Sequence, residues 1–168
     1  MTRAEPVPPP SPSALDAEVA VFVPLVRRLT RGILRHRHDA EDAEQEALCS
    51  ILEHRADFQD RGSLEGWVRR IAVRAGLRLL RRRRWLAWIL EDVPLRPVGE
   101  SDPDETRRLY EALDRLSARE RAVFVLRFQE ELPFAEVAAD LGCSDGAARN
   151  YAFRASRKLR RLLGRREP

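Results

Sequence analysis

The sequence predicts an all-α fold of two small helical domains joined by a flexible acidic linker. Three observations carry that expectation. Leu, Ala, Arg and Glu dominate the 168 residues, while glycine is sparse and β-branched runs are nearly absent, a composition that favours helix. Apolar residues recur at three-four spacing in one segment after another. Near the middle, EDVPLRPVGESDPD (residues 91–104) breaks that rhythm with three prolines and one glycine. The expected organisation is a disordered proline-rich lead (1–14), a first helical domain (15–90), a linker (91–104) and a second helical domain (105–168).

The first domain opens with Leu15, Val19, Phe22, Val23, Val26, Leu29, Ile33 and Leu34 on one helical face, a helix that Pro24 bends or interrupts. A second helix is expected to start near Asp39, which offers an N-cap followed by acids that suit the helix dipole. Its apolar side is Ala40, Ala43, Ala47, Leu48, Ile51 and Leu52. Its other side carries Glu41, Asp42, Gln45 and Glu46. DFQDRGS (57–63) reads as a loop, and Ser63 can cap a third helix running to about Arg84 that buries Leu64, Trp67, Val68, Ile71, Ala75 and Leu79.

The second domain begins with a helix from about Pro103 to Leu116. SARE (117–120) is a capping box opening a helix to about Gln129. Pro133 suits the first turn of the next helix, which ends where Gly142 fits the C-cap. Ser144 then caps a last helix to about Leu163.

Charge is patterned rather than uniform. Eight acids against one arginine lie between residues 39 and 60, then nine arginines against one glutamate between 61 and 84. Six acids against one arginine span 91–105, and eight bases with no acid span 149–166. Two basic segments on one chain favour a polyanion partner; solvated helix faces are the alternative. No apolar run approaches the ~18 residues of a membrane span, so no membrane insertion is expected. The start lacks an apolar signal region, and Cys49 and Cys143 lie far apart outside any CxxC pair. A reduced, cytoplasmic protein is the natural reading.

FAEVAADLGCSDGAARNYAFRASRKL has the spacing of a helix-turn-helix. Ala138 and Ala139 allow close helix approach, and Val137, Leu141, Ala148 and Ala152 supply a shared core. The second helix would present Asp145, Ala147, Arg149, Asn150 and Phe153 outward. Arginine and asparagine read base edges through paired hydrogen bonds, and the basic tail beyond them can hold phosphates.

Three stretches together resemble the extracytoplasmic-function (ECF) sigma factors of bacterial RNA polymerase, in the sigma-70 family. DAEDAEQEAL (39–48) is similar to that family's polymerase-binding motif. GSLEGWVRRIAVRAGLRLLRRRR is similar to the helix that engages the minus-ten promoter element. LDRLSARERAVFVLRFQEELPFAEVAADLGCSDGAARNYAFRASRKLRRLL is similar to the domain that reads the minus-thirty-five element. The likeness covers about residues 15–163 and implies a sigma2-like domain followed by a sigma4-like one. It implies that Asp39, Asp42, Gln45 and Glu46 dock on a coiled coil of the polymerase β′ subunit. Arg61, Trp67, Arg70, Arg74, Arg78 and Arg81 would meet the minus-ten element. Ser144, Asp145, Ala147, Arg149, Asn150, Phe153, Arg154, Arg157 and Lys158 would meet the minus-thirty-five element. Promoter DNA, core polymerase and an anti-sigma factor are the implied partners, and no chemical step belongs to the chain itself. A helix-turn-helix regulator acting without polymerase is the alternative. Arg74 stands where the family commonly has Asn, Arg78 where it has Asp, Tyr151 where Arg is frequent, and Pro133 replaces a usual capping Ser.

No metal or cofactor is expected. His36 and His38, two apart on a helix, point to different sides, away from a common site with Asp39. Cys49 reads as a small core residue and Cys143 as part of the tight turn. Trp85 and Trp88 leave three readings open, packing on the first unit, meeting a regulator or lying exposed, of which ordinary packing is favoured. No glycine-rich phosphate loop or catalytic triad is evident.

Overall fold

The computed structural model describes residues 17, 19–34, 36–55, 58, 63–90 and 103–164, with backbone alone for 83–90 and 103–107. The proline-rich lead, the linker at 91–102, Arg61 and the side chains of Trp85 and Trp88 lie outside the described residues. Helices and turns make up what is described, with no strand among those residues.

Helix α1 (Val23–Ile33) begins at the proline rather than bending around it. Pro24 occupies the first turn, where a missing N–H costs nothing, and a turn at Val21 and Phe22 cuts the expected longer helix. Helix α2 (Arg37–His54) starts two residues before Asp39. His36 is at the N-cap with no side-chain capping bond, so the expected Asp39 cap is corrected: Asp39 lies inside the first turn and is buried. The buried stripe of α2 is narrow, made of Ala40, Ala43, Ala47 and Ile51. Leu52 is 40% exposed and Cys49 is exposed, against expectation, because neither falls on that three-four-four stripe.

Helix α3 (Leu64–Leu90) is capped as expected: Ser63 Oγ accepts the Gly66 N–H at 3.3 Å. It runs six residues past Arg84. Its buried set is broader than one stripe and includes Val68, Ala72, Val73, Ala75, Leu77 and Leu80. The reason is that α3 packs on α1 and α2 and also against the second unit.

Helices α4 (Pro103–Asp114) and α5 (Ala118–Phe124) follow. The capping box forms: Ser117 Oγ accepts the Glu120 N–H at 3.2 Å, and Glu120 Oε2 accepts the Ser117 N–H at 2.8 Å. The expected α-helix to Gln129 changes character at Val125 and becomes a π turn, Val125–Gln129. Glu131 then adopts a left-handed φ of 55°. Helix α6 (Phe134–Leu141) has Pro133 at its N-cap, one position before the expected first turn. Gly142 ends it at φ 59°, where a side chain would be strained, and the Cys143 N–H returns to the Ala138 carbonyl at 3.0 Å. Helix α7 (Asp145–Leu163) opens with Ser144 Oγ accepting the Ala147 N–H at 3.2 Å. Val137, Leu141, Ala148 and Ala152 are buried between α6 and α7 as expected, with Ala138. Ala139 is exposed, so only one of the two alanines serves close approach.

The sequence leaves the arrangement of the two units open. In the structure one apolar cluster runs through both, from Val19 to Ala152, with a smaller one formed by Ala112, Leu116, Ala155 and Leu159. Polar ties cross the seam. Arg28 donates from Nε and Nη2 to Glu130 at 2.6 and 2.7 Å. Arg121 Nη1 donates to the Ile33 carbonyl at 3.3 Å. Arg69 on α3 pairs with Asp140 and, at 2.7 Å, with Glu136, both on α6. At Gly32 a Cβ would stand 3.0 Å from Val125 Cγ2, so the absence of a side chain here lets Val125 pack directly on the α1 backbone.

Candidate polymerase- and DNA-binding surfaces

Helix α2 buries its alanines against α1 and α3, which turns its acidic positions outward. Asp42, Gln45 and Glu46 are exposed there. Asp39 is not: it is 7% exposed and sits on the buried side. Glu41, beside them, accepts from Arg37 Nε at 2.7 Å, and that hydrogen bond holds its carboxyl below the ordinary value. Glu44 points the other way and binds Arg27 at 2.9 Å, tying α2 to α1.

On α3, Arg74, Arg78 and Arg81 are exposed and Arg70 is half-buried, so the expected arginine face exists. Arg81 Nε also donates to the Leu77 carbonyl at 3.3 Å. Arg78 forms an ion pair with Glu46, which places the acidic face of α2 and the basic face of α3 side by side. Trp67 is half-buried against the core, its ring 5.5 Å from that of Phe58.

Arg69 escapes the sequence reading. It belongs to the same arginine run but turns inward, 6% exposed. Burial works against its charge, and the hydrogen bonds to Asp140 and Glu136 outweigh that, so the guanidinium stays charged. Two signals could have found it: Arg69 adjoins Val68 within the apolar stripe of α3, and Glu136 and Asp140 are spaced four apart on one helix face.

On α7, Ser144, Asp145, Arg149, Asn150, Phe153, Arg154 and Arg157 are exposed, and Ala147 is half-buried. Phe153 is 64% exposed, unusual for an aromatic side chain. Lys158 is drawn away from this face: its Nζ donates to Glu120 Oε2 at 2.7 Å. Arg149 donates from Nε to Asp145 Oδ2 at 2.7 Å and lies over the Phe134 ring, 4.7 Å from its centroid. Tyr151 packs on the core with Arg119 over its ring at 5.9 Å, so a tyrosine here does structural duty in place of an exposed base. Among the described residues no three His, Cys, Asp or Glu side chains gather as a metal site. No described helix is long and apolar enough to cross a membrane.

Comparison with known proteins bears on these faces. Residues 19–86 match the family description "Sigma-70 region 2", and residues 106–159 match "Sigma-70, region 4". The chain is 32% identical to RNA polymerase sigma factor CarQ of Myxococcus xanthus over 156 residues, 90% of each protein. It is also 32% identical to ECF RNA polymerase sigma factor SigM of Mycobacterium tuberculosis over 142 residues, 83% of this chain and 71% of that one. The chain belongs to the ECF RNA polymerase sigma factors. A third ECF sigma factor, SigE of Mycolicibacterium smegmatis, is 31% identical over 149 residues, but the matched stretch spans only 58% of its length. In three dimensions this sigma factor shares its fold with Bartonella quintana RpoE, solved in complex with the anti-sigma factor NepR. The TM-score is 0.72 at 21% identity, covering 92% of this chain and 99% of the other. It likewise shares the fold of CnrH in complex with the cytosolic domain of CnrY, with a TM-score of 0.68 at 24% identity, covering 94% and 92%.

Proposed function

We propose that this sigma factor binds core RNA polymerase through the acidic face of α2, carries it to specific promoters and aids strand opening with the arginine face of α3. One observation supports the reading above others: exposed acids on α2 stand directly beside exposed arginines on α3, in the same molecule as a capped helix-turn-helix. The acids suit a basic coiled coil on the polymerase β′ subunit, with Asp42, Gln45 and Glu46 in contact and Asp39 acting from beneath by shaping the first turn. Arg70, Arg74, Arg78 and Arg81 would hold the separated strand by its phosphates and bases, recovering stacking energy lost on opening. Arg74 and Arg78, which replace the family's usual Asn and Asp, add phosphate affinity, since each phosphate contact releases counterions. Helix α7 would read the minus-thirty-five element through Asp145, Arg149, Asn150 and Phe153, with Arg154 and Arg157 on phosphates. Lys158, engaged with Glu120, contributes to stability first. The work is positional rather than chemical, done in the cytoplasm with polymerase and DNA. An anti-sigma factor is a third partner, by analogy with the two solved relatives. A regulator acting without polymerase is not favoured, because the region 2 match spans the whole first unit.

Gel filtration with core polymerase tests this directly. The wild-type chain should co-elute and support run-off transcription. Asp42→Arg with Glu46→Arg should abolish co-elution while the circular dichroism stays helical. Co-elution of the double variant at wild-type affinity would refute the docking face.

A further inference from the structure

We infer that Phe134 is a positioning residue for promoter reading: its ring orients Arg149 toward a base edge and sets Arg127 as a phosphate contact. The inference rests on the reading of α7 as the base-reading helix. Phe134 is the first residue of α6, half-buried, with its inner edge on the core. Two guanidinium groups lie over its ring, Arg149 at 4.7 Å and Arg127 at 5.3 Å from the centroid. Arg149 comes from the first turns of α7, and Arg127 from the π turn. Three separate elements therefore converge on one aromatic ring.

The chemistry follows from what an arginine needs in order to discriminate. Its long side chain carries about 2 kcal/mol of rotamer entropy, which a free arginine loses when it binds. A guanidinium held over an aromatic face has lost part of that already. Asp145 fixes the same group in its plane by accepting from Nε. That leaves the two Nη groups as the end presented for a paired contact, the geometry that fits guanine O6 and N7. Arg127 has no place in the base-reading turn of α7. Its position beside the same ring puts a second positive charge at the edge of the reading surface, where backbone phosphate runs.

The two roles predict different losses. The test uses the full-length chain loaded on core polymerase, offered a pool of duplexes randomised across the upstream element. Loading is measured first. The wild type should select a motif with one guanine column that depends on Arg149. Phe134→Leu, which keeps apolar volume but has no aromatic face, should weaken that column about two- to fivefold and leave the others within twofold. Phe134→Tyr should restore it. Arg127→Ala should weaken binding to all sequences alike and reduce the log–log salt slope by about one, with the motif unchanged. Should Phe134→Leu fail to fold, Phe134→Met provides the same reading: it keeps a flexible apolar side chain on the core and has no aromatic face, so the guanine column should fade at an unchanged salt slope. An unaltered motif in Phe134→Leu or Phe134→Met would overturn the inference, as would a uniform loss in Phe134→Leu that tyrosine does not rescue. A wild type that loads on polymerase but selects no upstream motif would instead sink the reading of α7 itself.

Discussion

Two buried carboxylates respond to acid in opposite senses, and both lie where helices meet. Glu120 is buried under its own capping box. Burial works against its ionisation, but Lys158 and the Ser117 N–H outweigh that and hold it below its ordinary value of 4.5. A depressed carboxylate adds stability above its unfolded pKa and loses it as pH falls through the folded one. Glu120→Gln should therefore flatten the acid side of the stability profile, below about pH 4.5, in urea melts taken at several pH values. Asp140 is the reverse case. Burial pushes its carboxyl up, more than Arg69 pulls it down, so this group favours the fold at low pH and loses that contribution as pH rises through its folded value. Among the described residues its Oδ1 meets no hydrogen-bond donor, so the pair with Arg69 satisfies one carboxylate oxygen and not the other. Asp140→Ala leaves Arg69 buried with the half-exposed Glu136 and the more distant, exposed Glu65 at 3.9 Å, and should cost about 3 kcal/mol in urea denaturation. A loss under about 1 kcal/mol would mean that water reaches Arg69 once the partner is gone.

At the scale of elements, local chemistry was readable and tertiary chemistry was not. The caps at Ser63, Ser117 and Ser144 and the glycine stop at Gly142 depend on neighbours within four residues, so the sequence shows them directly. Ser144→Ala removes the acceptor for the Ala147 N–H at the start of α7 and should destabilise the chain by about 1 kcal/mol in thermal melts. The π turn at Val125–Gln129 has no such signature. It falls where Val125 and Leu126 are buried in the core common to both units and Gln129 faces Gly32, a constraint set by a helix some hundred positions earlier in the chain. The same distinction separates Arg70 from Arg69. Helical spacing identifies the exposed face, but only the second unit explains why the adjacent arginine turns inward. Cys49 and Leu52 were misplaced for a related reason: a helix packed through alanines buries a thinner stripe than one packed through leucines.

The whole molecule is organised by its seam. A compact chain of 168 residues has a radius of gyration of about 15 Å. Promoter elements named for positions ten and thirty-five are about 25 base pairs apart, or about 85 Å at ~3.4 Å per step. If α3 and α7 each take one of these elements, as proposed above, one closed body cannot read both together, and promoter recognition would require the units to separate. Gly32 is the place to test this. Gly32→Leu would drive a side chain into Val125, and small-angle scattering should report a larger radius than the wild type. Val125→Ala in the same chain should restore the smaller value. An unchanged radius in Gly32→Leu would show that the π turn yields locally and that the seam tolerates the bulk.

On that reading, the continuity of the apolar cluster across both units would set a thermodynamic gate on loading. A partner that engages only the separated form meets a binding-competent population smaller than the total, and its apparent affinity falls by that fraction. Each tenfold weakening of the closed state, about 1.4 kcal/mol, would raise that affinity up to tenfold without altering any residue the partner touches. Val125, Ile33 and Leu126, all buried in the closed form, would in this way tune how readily the molecule enters transcription.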